Sequence, residues 1–188
     1  MKKGFQYPGN QKVLQDNHIS KIIHDSEKNI VIKTLKRSPV DVYGFELYQK
    51  LQQKTDHVVK VLDIIDTNTY TMEYIPGIID DYDEYSKPHH LMNQDSVTKQ
   101  EMIKLHKVMN LVWIHALELS SELPTDHFFV HSDFKLSNVV VIKNRTGIDF
   151  KIIDPDSWHC WRGYAGVDTF YQNQLKLALT LQRLTKSV

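Results

Sequence analysis

Three oxygen-bearing side chains recur along the stretch from Phe128 to Trp158 at a spacing that suits metal binding and proton transfer. The tripeptide His131-Ser132-Asp133 follows an apolar run, Asn138 stands five residues after Asp133, and Asp154 comes later in the same stretch. Between Asn138 and Asp154 the chain has the pattern of two strands and a turn. The positions of these side chains therefore depend on how the two strands pair.

The segment between Asn138 and Asp154 predicts a β-hairpin. Residues 139–142 are β-branched, residues 144–147 have turn chemistry, and residues 148–152 alternate apolar with polar in the period of a half-buried strand. If residues 144–147 form the loop, Asn138 lies opposite Ile153, next to Asp154. Opposed residues lie about 4.5 to 5.5 Å apart, so an amide oxygen and a carboxylate meet at the open end of the hairpin.

Oxygen ligands at this spacing suit Mg²⁺, which takes one or two protein side chains and fills the rest of its octahedron with water and phosphate. A further carboxylate just upstream, Asp133, is placed to orient a nucleophile. The alternative is that Asp133, Asn138 and Asp154 are only loop and strand-end residues, where Asp and Asn are common. The hairpin and the second aspartate together favour the metal and catalytic interpretation.

The composition limits the number of domains, the partners and the cellular location that are expected for this chain. The chain has 188 residues, 41% of them hydrophobic, enough to bury one domain or two lobes. Lys plus Arg equals Asp plus Glu at 23 each, so no overall field favours nucleic acid or an anionic membrane. The single cysteine, Cys160, excludes an intrachain disulfide and a cysteine zinc site. No signal core or transmembrane run is visible, so a cytoplasmic protein is expected.

The first 75 residues predict an antiparallel sheet of about five strands, over residues 12–14, 19–24, 30–35, 58–65 and 70–75. In the third strand Lys33 shares a face with Val31 and Leu35. Its side chain either snorkels to solvent from the sheet edge, as strand lysines commonly do, or has a specific partner.

Three helices are expected along the chain. The first begins at Ser38-Pro39 and buries a stripe of Val40, Tyr43, Leu47 and Leu51, with Glu46 flanking that stripe. Glu46 either points towards Lys33 or is a solvated helical glutamate. The second starts at a capping box, Thr98 to Glu101, and buries Met102, Leu105, Met109, Val112, Trp113 and Ala116 until Pro124 stops it. The third runs from about Val167.

Five motifs occur in one order along residues 31 to 156: V-I-K, a glutamate-bearing helix, M-E-Y-I-P-G, H-S-D-F-K-L-S-N and I-D-P-D. In this order they resemble the protein-kinase-like phosphotransferases, and the chain is similar to a minimal member of the aminoglycoside phosphotransferase or RIO type. The resemblance implies an α+β, bilobal fold with a five-stranded antiparallel sheet and one helix in the N-lobe. It implies a single domain over residues 1–188, with an N-lobe to about 75, a hinge at about 72–78 and a truncated, mainly helical C-lobe from about 79.

The resemblance also implies ATP as phosphoryl donor, Mg²⁺ as cofactor and a role for each matching residue. Asp133 would act as base or orienter for the acceptor hydroxyl, and Lys135 would stabilise the transferred phosphoryl group. Asn138 and Asp154 would hold the metal. The residues implied to bind the nucleotide are Lys33 paired with Glu46 at the phosphates, Met72 as gatekeeper, the backbone of Glu73 and Ile75 at the adenine edge, and Ser20 in the segment that covers the phosphates.

Three departures from the kinase pattern bear on activity. No glycine lies between Gly9 and Gly44, so the segment from Asp16 to Ser20 must cover the phosphates with bulkier backbone. Ser132 replaces the arginine of H-R-D, which removes the anchor of a phosphorylated activation loop. Pro155 replaces the phenylalanine of D-F-G.

Two classes of function remain open. One is an active kinase, with a preference for serine or threonine of a protein as acceptor and a small alcohol of aminoglycoside, sugar or choline type as the alternative. The other is an inactive nucleotide-binding scaffold. Because the charged set of Lys33, Glu46, Asp133, Asn138 and Asp154 is complete, the sequence favours the enzyme. Neither a nucleic-acid nor a membrane partner is expected.

Overall fold

The structure, a computed structural model, describes residues 10–79, 98–134, 138–145 and 147–186. The chain divides into two compact units. The first comprises residues 1–41 and 60–74, and the second comprises residues 42–59 and 75–188. The boundary after Tyr74 falls within the segment 72–78 that the sequence suggests as a hinge.

The first unit contains a five-stranded antiparallel sheet, as predicted. Its strands are β1 Gln11–Asp16, β2 Ser20–Asp25, β3 Ile30–Leu35, β4 Val61–Ile64 and β5 Thr69–Glu73, in the spatial order β1-β2-β3-β5-β4. The strand predicted at 58–65 is shorter than expected. Val58 and Val59 do not extend β4, because they bond to Ile152 within the second unit.

The central strand β3 buries alternate side chains, and Lys33 is one of them. Val31, Lys33 and Leu35 are all buried, with Lys33 only 5% exposed. The prediction that these three residues share a face is confirmed. The snorkelling alternative for Lys33 is wrong, since β3 is flanked by β2 and β5 and is not an edge strand.

Helix α1, Val42–Lys54, starts later than predicted, and its buried face agrees with the prediction except at Tyr43. It begins at Val42 and not at Ser38-Pro39, and Val40 precedes it with its N–H donated to the carbonyl of Thr67. Tyr43, expected to be buried, is exposed. The buried face consists of Gly44, Phe45, Leu47, Tyr48 and Leu51. Val40, Leu47 and Leu51 are buried as predicted, although Val40 lies before the helix. Burying the rings of Phe45 and Tyr48 removes more apolar surface from water than burying Tyr43 would.

Helix α2, Lys99–Ser121, follows its prediction closely. The Thr98 hydroxyl accepts from the Glu101 N–H while the Glu101 carboxylate accepts from the Thr98 N–H, which is the expected capping box. All six side chains predicted for its apolar face are buried. Helix α3 covers Tyr164–Lys186. None of the helices in the described part of the chain has the length and hydropathy of a membrane span.

Among its described residues, the second unit has two small antiparallel sheets. One has the order β6-β8-β9, with β6 Ile78–Ile79, β8 Val139–Asn144 and β9 Gly147–Ile152; the other pairs β7 His127–His131 with β10 Trp158–Arg162. The β8–β9 hairpin has the predicted register, with Lys143 opposite Ile148 and Val139 opposite Ile152. Strands β6 and β10 were not predicted, because β6 has only two residues and the sequence of β10, W-H-C-W-R, does not alternate strictly between apolar and polar residues.

Gly77 allows the chain to pass directly over β8. A Cβ at this position would lie 2.3 Å from Cγ1 of Val140 and 2.6 Å from the carbonyl oxygen of Val141. The second atom belongs to the backbone of a paired strand and has no room to move. The glycine of M-E-Y-I-P-G is therefore required by close packing, whatever else that motif does.

Trp158, the first residue of β10, lies at the centre of the core of the second unit and is fully buried. Its ring centroid lies 5.0 to 6.4 Å from those of five other rings: Tyr48, Trp113, Phe129, His131 and Phe134. These rings come from α1, α2, β7 and the segment after β7. The side chain thus joins three elements that are distant in sequence.

His131 is fully buried against Trp158 and is held in its neutral form. Its Nδ1 accepts a hydrogen bond from the backbone N–H of Asp133 at 3.1 Å, so the ring proton belongs on Nε2. Burial lowers the pKa of His131 from 6.5 to about 4. The charges of Asp154 and Asp133 raise that pKa and His159 lowers it, but burial has the largest effect.

The neutral state of His131 predicts a loss of stability in mild acid. Between pH 6.5 and about 4 the unfolded chain binds a proton at this histidine that the folded chain does not, so stability is complete above pH 6.5 and falls as the pH is lowered. A shift of this size corresponds to about 2 kcal/mol between pH 7 and pH 5. Urea unfolding at both pH values measures it.

The matched variant is His131→Asn, in which the amide oxygen replaces Nδ1 as acceptor and nothing titrates. Its loss of stability between pH 7 and pH 5 should be smaller than that of the wild type by about 2 kcal/mol. NMR gives a direct check in the wild-type protein. A His131 ring resonance that titrates near pH 6.5 would contradict the assignment.

Candidate catalytic and metal-binding site

The three predicted site residues lie at the ends of strands in the second unit. Asp133 follows β7, Asn138 precedes β8 and Asp154 follows β9. The backbone N–H of Ile153 donates to the carbonyl of Asn138 at 2.8 Å, so Asn138 lies opposite Ile153, as the hairpin register predicts. The structure therefore places Asn138 opposite Ile153, the residue that precedes Asp154.

The side-chain amide of Asn138 is oriented by Asp133. Its Nδ2 donates to the carbonyl oxygen of Asp133 at 2.7 Å and lies 3.5 Å from the carboxylate Oδ2 of the same residue. Because the amide is planar, its Oδ1 points away from these contacts and is the atom suited to bind a cation. The side chain of Asn138, a predicted metal ligand, thus bonds to Asp133, the predicted catalytic residue.

Side chains and backbone from several parts of the chain form hydrogen bonds with the backbone of residues 131–133. The His131 carbonyl accepts from Nδ2 of Asn173 at 2.6 Å, and the Ser132 N–H donates to the Ser157 carbonyl at 2.7 Å. The Asp133 N–H donates to the His131 ring, and the Asp133 carbonyl accepts from Asn138. This segment is therefore positioned on both sides of the predicted catalytic aspartate.

Asn173 was missed in the sequence analysis. It lies on α3, is 2% exposed and forms the buried hydrogen bond to His131 across 42 residues of sequence. Three residues before it on the same helix, Phe170 packs its ring against Trp113 at 5.1 Å. A polar residue one helical turn from a core aromatic was the available signal, since buried amides almost always have a partner.

Asp154 has an unusual backbone conformation, with φ 71° and ψ 57°, in the left-handed region. Such a conformation is uncommon for a residue other than glycine, although Asp tolerates it better than most. Its Oδ2 accepts a hydrogen bond from the Ser157 hydroxyl at 2.8 Å. Left-handed residues of this kind concentrate at functional sites, where the surroundings hold them in place.

The donors fit Mg²⁺ better than a transition metal. Asn138 and Asp154 supply oxygen, and Mg²⁺ binds through one or two such side chains together with water and phosphate oxygens. Within the described ranges, no cluster of three or more His, Cys, Asp or Glu side chains is arranged as a metal site. A cation here would therefore depend on a phosphate ligand for much of its coordination.

The residues predicted to bind nucleotide are distributed over both units. Four of them belong to the first unit: Ser20, Lys33 and Met72, which are buried, and Glu73. The other two, Ile75 and Glu46, belong to the second unit, and Glu46 is exposed. The Lys33–Glu46 pair stays a prediction. Lys135 lies outside the described residues.

The turn between β1 and β2 has few backbone amides to offer a phosphate. Asn17 accepts through its Oδ1 from the N–H groups of Ile19 and Ser20, at 2.8 and 2.9 Å. The carbonyl of Asn17 and the carboxylate of Asp16 both contact Nζ of Lys36. The turn is therefore stabilised by its own side chains where a glycine-rich loop would leave amides open.

Comparison with known proteins supports the expected fold. No protein-family model and no curated protein matches the sequence. Among solved structures, the chain is similar to the Rio2 kinase from Chaetomium thermophilum, crystallised as an ADP/Mg²⁺-phosphoaspartate complex. The TM-score is 0.57 at 11% identity, and the match covers 92% of this chain but only 54% of that one. The likeness shows that this chain has a protein-kinase-like fold.

Proposed function

We propose that the protein is a phosphotransferase that transfers the γ-phosphoryl group of ATP to a hydroxyl with the help of Mg²⁺. The observation that carries the proposal is the linked set at the strand ends: Asn138 bonds to Asp133 through its side chain and to Ile153, beside Asp154, through its carbonyl. In a kinase-like fold these residue types match the needs of phosphoryl transfer, which are positioning and charge neutralisation.

Each residue has a distinct proposed role. Asn138 and Asp154 hold Mg²⁺, which would neutralise charge on the phosphates. Asp133 orients the acceptor hydroxyl and takes its proton, and Lys135 stabilises the transferred group. At the nucleotide, Lys33 with Glu46 binds phosphates, Met72 flanks the adenine, the backbone of Glu73 and Ile75 binds its edge, and Ser20 lies in the turn over the phosphates.

A nucleotide-binding scaffold without turnover is the second candidate. The hydrogen bonds from Ile19 and Ser20 to the Asn17 side chain favour it, because those amides are already used within the turn. The enzyme is favoured because all five residues expected at the phosphates, the metal and the acceptor are present: Lys33, Glu46, Asp133, Asn138 and Asp154. Turnover of ATP by the pure protein, with and without Mg²⁺, separates the two candidates.

The first prediction concerns the metal. Asp154→Asn keeps the shape of the side chain and a residue that tolerates the left-handed conformation, but it removes the negative charge. The affinity for Mg·ATP should fall at least about tenfold, the equivalent of 1.4 kcal/mol, while affinity for ATP in EDTA stays the same. Titration calorimetry measures both. The control is Asp63→Asn, an exposed carboxylate on β4; equal Mg·ATP affinity in both variants would refute the metal role.

The second prediction concerns proton transfer. Asp133→Asn leaves an oxygen in place but no base, so turnover should fall by roughly 10²- to 10⁴-fold. Nucleotide affinity should change little, since the proposed contact of Asp133 is with the acceptor. Single-turnover measurements on Asp133→Asn and on the Asp63→Asn control test this. Wild-type rates in the Asp133 variant would exclude the role.

The third prediction concerns the acceptor, for which serine or threonine of a protein is proposed and a small alcohol is the alternative. Incubation of the protein with γ-labelled ATP and a cell lysate should label protein. The label should survive hydroxylamine, which cleaves an acyl phosphate on aspartate but not a phosphate ester. Label found only in small metabolites would favour the alternative, and hydroxylamine-sensitive label would show a carboxylate acceptor.

A further inference from the structure

We infer that the outer face of α3 pairs with the same helix of a second copy of this chain, so that the protein forms a two-fold symmetric dimer. This face carries a row of four exposed apolar side chains, called the α3 row below: Tyr164, Tyr171, Leu175 and Leu179. Their exposed fractions lie between 42% and 82%. The inference goes beyond the proposed phosphotransferase function and does not depend on it.

The α3 row lies on the side of the helix that faces away from the core of the second unit. At 3.6 residues per turn, its four members fall within an arc of about 80°. Asn173 lies on the opposite side, where its side chain is buried and bonds to the His131 carbonyl. Gly166 is also on that side, and a Cβ there would lie 2.9 Å from the Cβ of Phe128. The contacts of the inner face therefore orient α3 so that the row is exposed.

The α3 row has the properties of an interaction surface. It runs from Tyr164 to Leu179, about 22 Å along the helix axis. Exposed polar side chains, Asp168 and Gln172, lie beside it. Single exposed apolar residues are common on protein surfaces, whereas a continuous apolar patch with a polar rim marks a binding site. Tyrosine, which supplies two of the four members, is enriched in such interfaces.

The spacing of the row is symmetric about Leu175, because Tyr171 and Leu179 each lie four residues from it. An antiparallel pair of α3 helices with the two-fold axis at Leu175 places this residue against the same residue of the second copy. Tyr171 then lies against Leu179 of the second copy, and this contact occurs twice. A surface that matches itself in this way is what a two-fold dimer requires.

The charges along α3 favour the antiparallel arrangement. In the sequence of this helix the one acidic residue, Asp168, comes before Leu175, and the three basic residues come after it: Lys176, Arg183 and Lys186. In the antiparallel pair, Asp168 lies level with residues 182 and 183, in the basic half of the second copy. In a parallel pair it would lie level with the same aspartate, and like charges across an interface oppose binding. The sequence of α3 is therefore complementary to an antiparallel copy of itself.

Sedimentation velocity on the full chain at micromolar concentrations tests the dimer. The wild-type protein should sediment as a dimer. Leu175→Glu places two carboxylates together at the two-fold axis, so the dissociation constant should rise at least about 100-fold. The matched control is Ile114→Glu, which adds the same charge to an apolar side chain on α2 that is 51% exposed. It should leave the dimer intact.

Two further variants test the position of the axis. Leu175→Lys should be monomeric alone, but an equimolar mixture with Leu175→Glu should form dimers again, because opposite charges then meet at the axis. This recovery also shows that both variants are folded. Should either variant fail to unfold cooperatively, Leu175→Cys decides. With an added oxidant its introduced thiol should form a disulfide with that of the second copy, identified by mass spectrometry of the linked peptides.

Each other outcome overturns the inference. A wild-type protein that stays monomeric would exclude the dimer and leave the phosphotransferase proposal intact. A dimer that persists in Leu175→Glu, or that Ile114→Glu disperses equally, would show that the interface lies elsewhere. A Glu and Lys mixture that stays monomeric, or a Leu175→Cys variant without the disulfide, would exclude the antiparallel pairing about Leu175.

Discussion

Burial of the Trp158 indole is the constraint on which the second unit depends. The ring is fully buried and lies within 6.4 Å, between centroids, of aromatic side chains from α1, α2 and the β7 region. Removing such a side chain from a core typically costs about 3–5 kcal/mol, a large part of the 5–15 kcal/mol that stabilises a typical domain. Asp154 lies only four positions before Trp158 in the sequence, so the position of the ring also limits where the aspartate can lie.

The pairing of Trp158 with His131 connects this core to the proposed chemistry. Five residue pairs hold β10 against β7 in register, and β7 ends where the segment with Asp133 begins. Asp133 thus follows β7, and Asp154 lies four positions before the first residue of the strand that pairs with β7. Buried and neutral, His131 supplies a hydrogen-bond acceptor for the Asp133 N–H without adding a charge that would compete with the proposed metal.

Local patterns in the sequence were sufficient for the parts of the site that local interactions determine. The alternation of residues 148–152 and the turn chemistry before them fixed the hairpin register, and the capping box fixed the start of α2. The predictions of the start of α1 and of a buried Tyr43 were wrong because Phe45 and Tyr48 are placed by partners elsewhere in the chain. Ser157 and Asn173 were missed for the same reason, since their bonds reach Ser132 and His131, residues far away in sequence.

In the sequence, the β8–β9 hairpin lies between β7 and β10, and this order affects how the site forms. Pairing His131 with Trp158 in an unfolded chain closes a loop of residues 132–157, whereas the hairpin occupies residues 139–152 and closes locally. Once the hairpin has formed, the remaining loop is roughly halved, which lowers the entropic cost of closure by about 0.6 kcal/mol. Folding is therefore expected to bring Asn138 and Asp154 together first and to add Asp133 in a later step, when β7 and β10 pair around the hairpin.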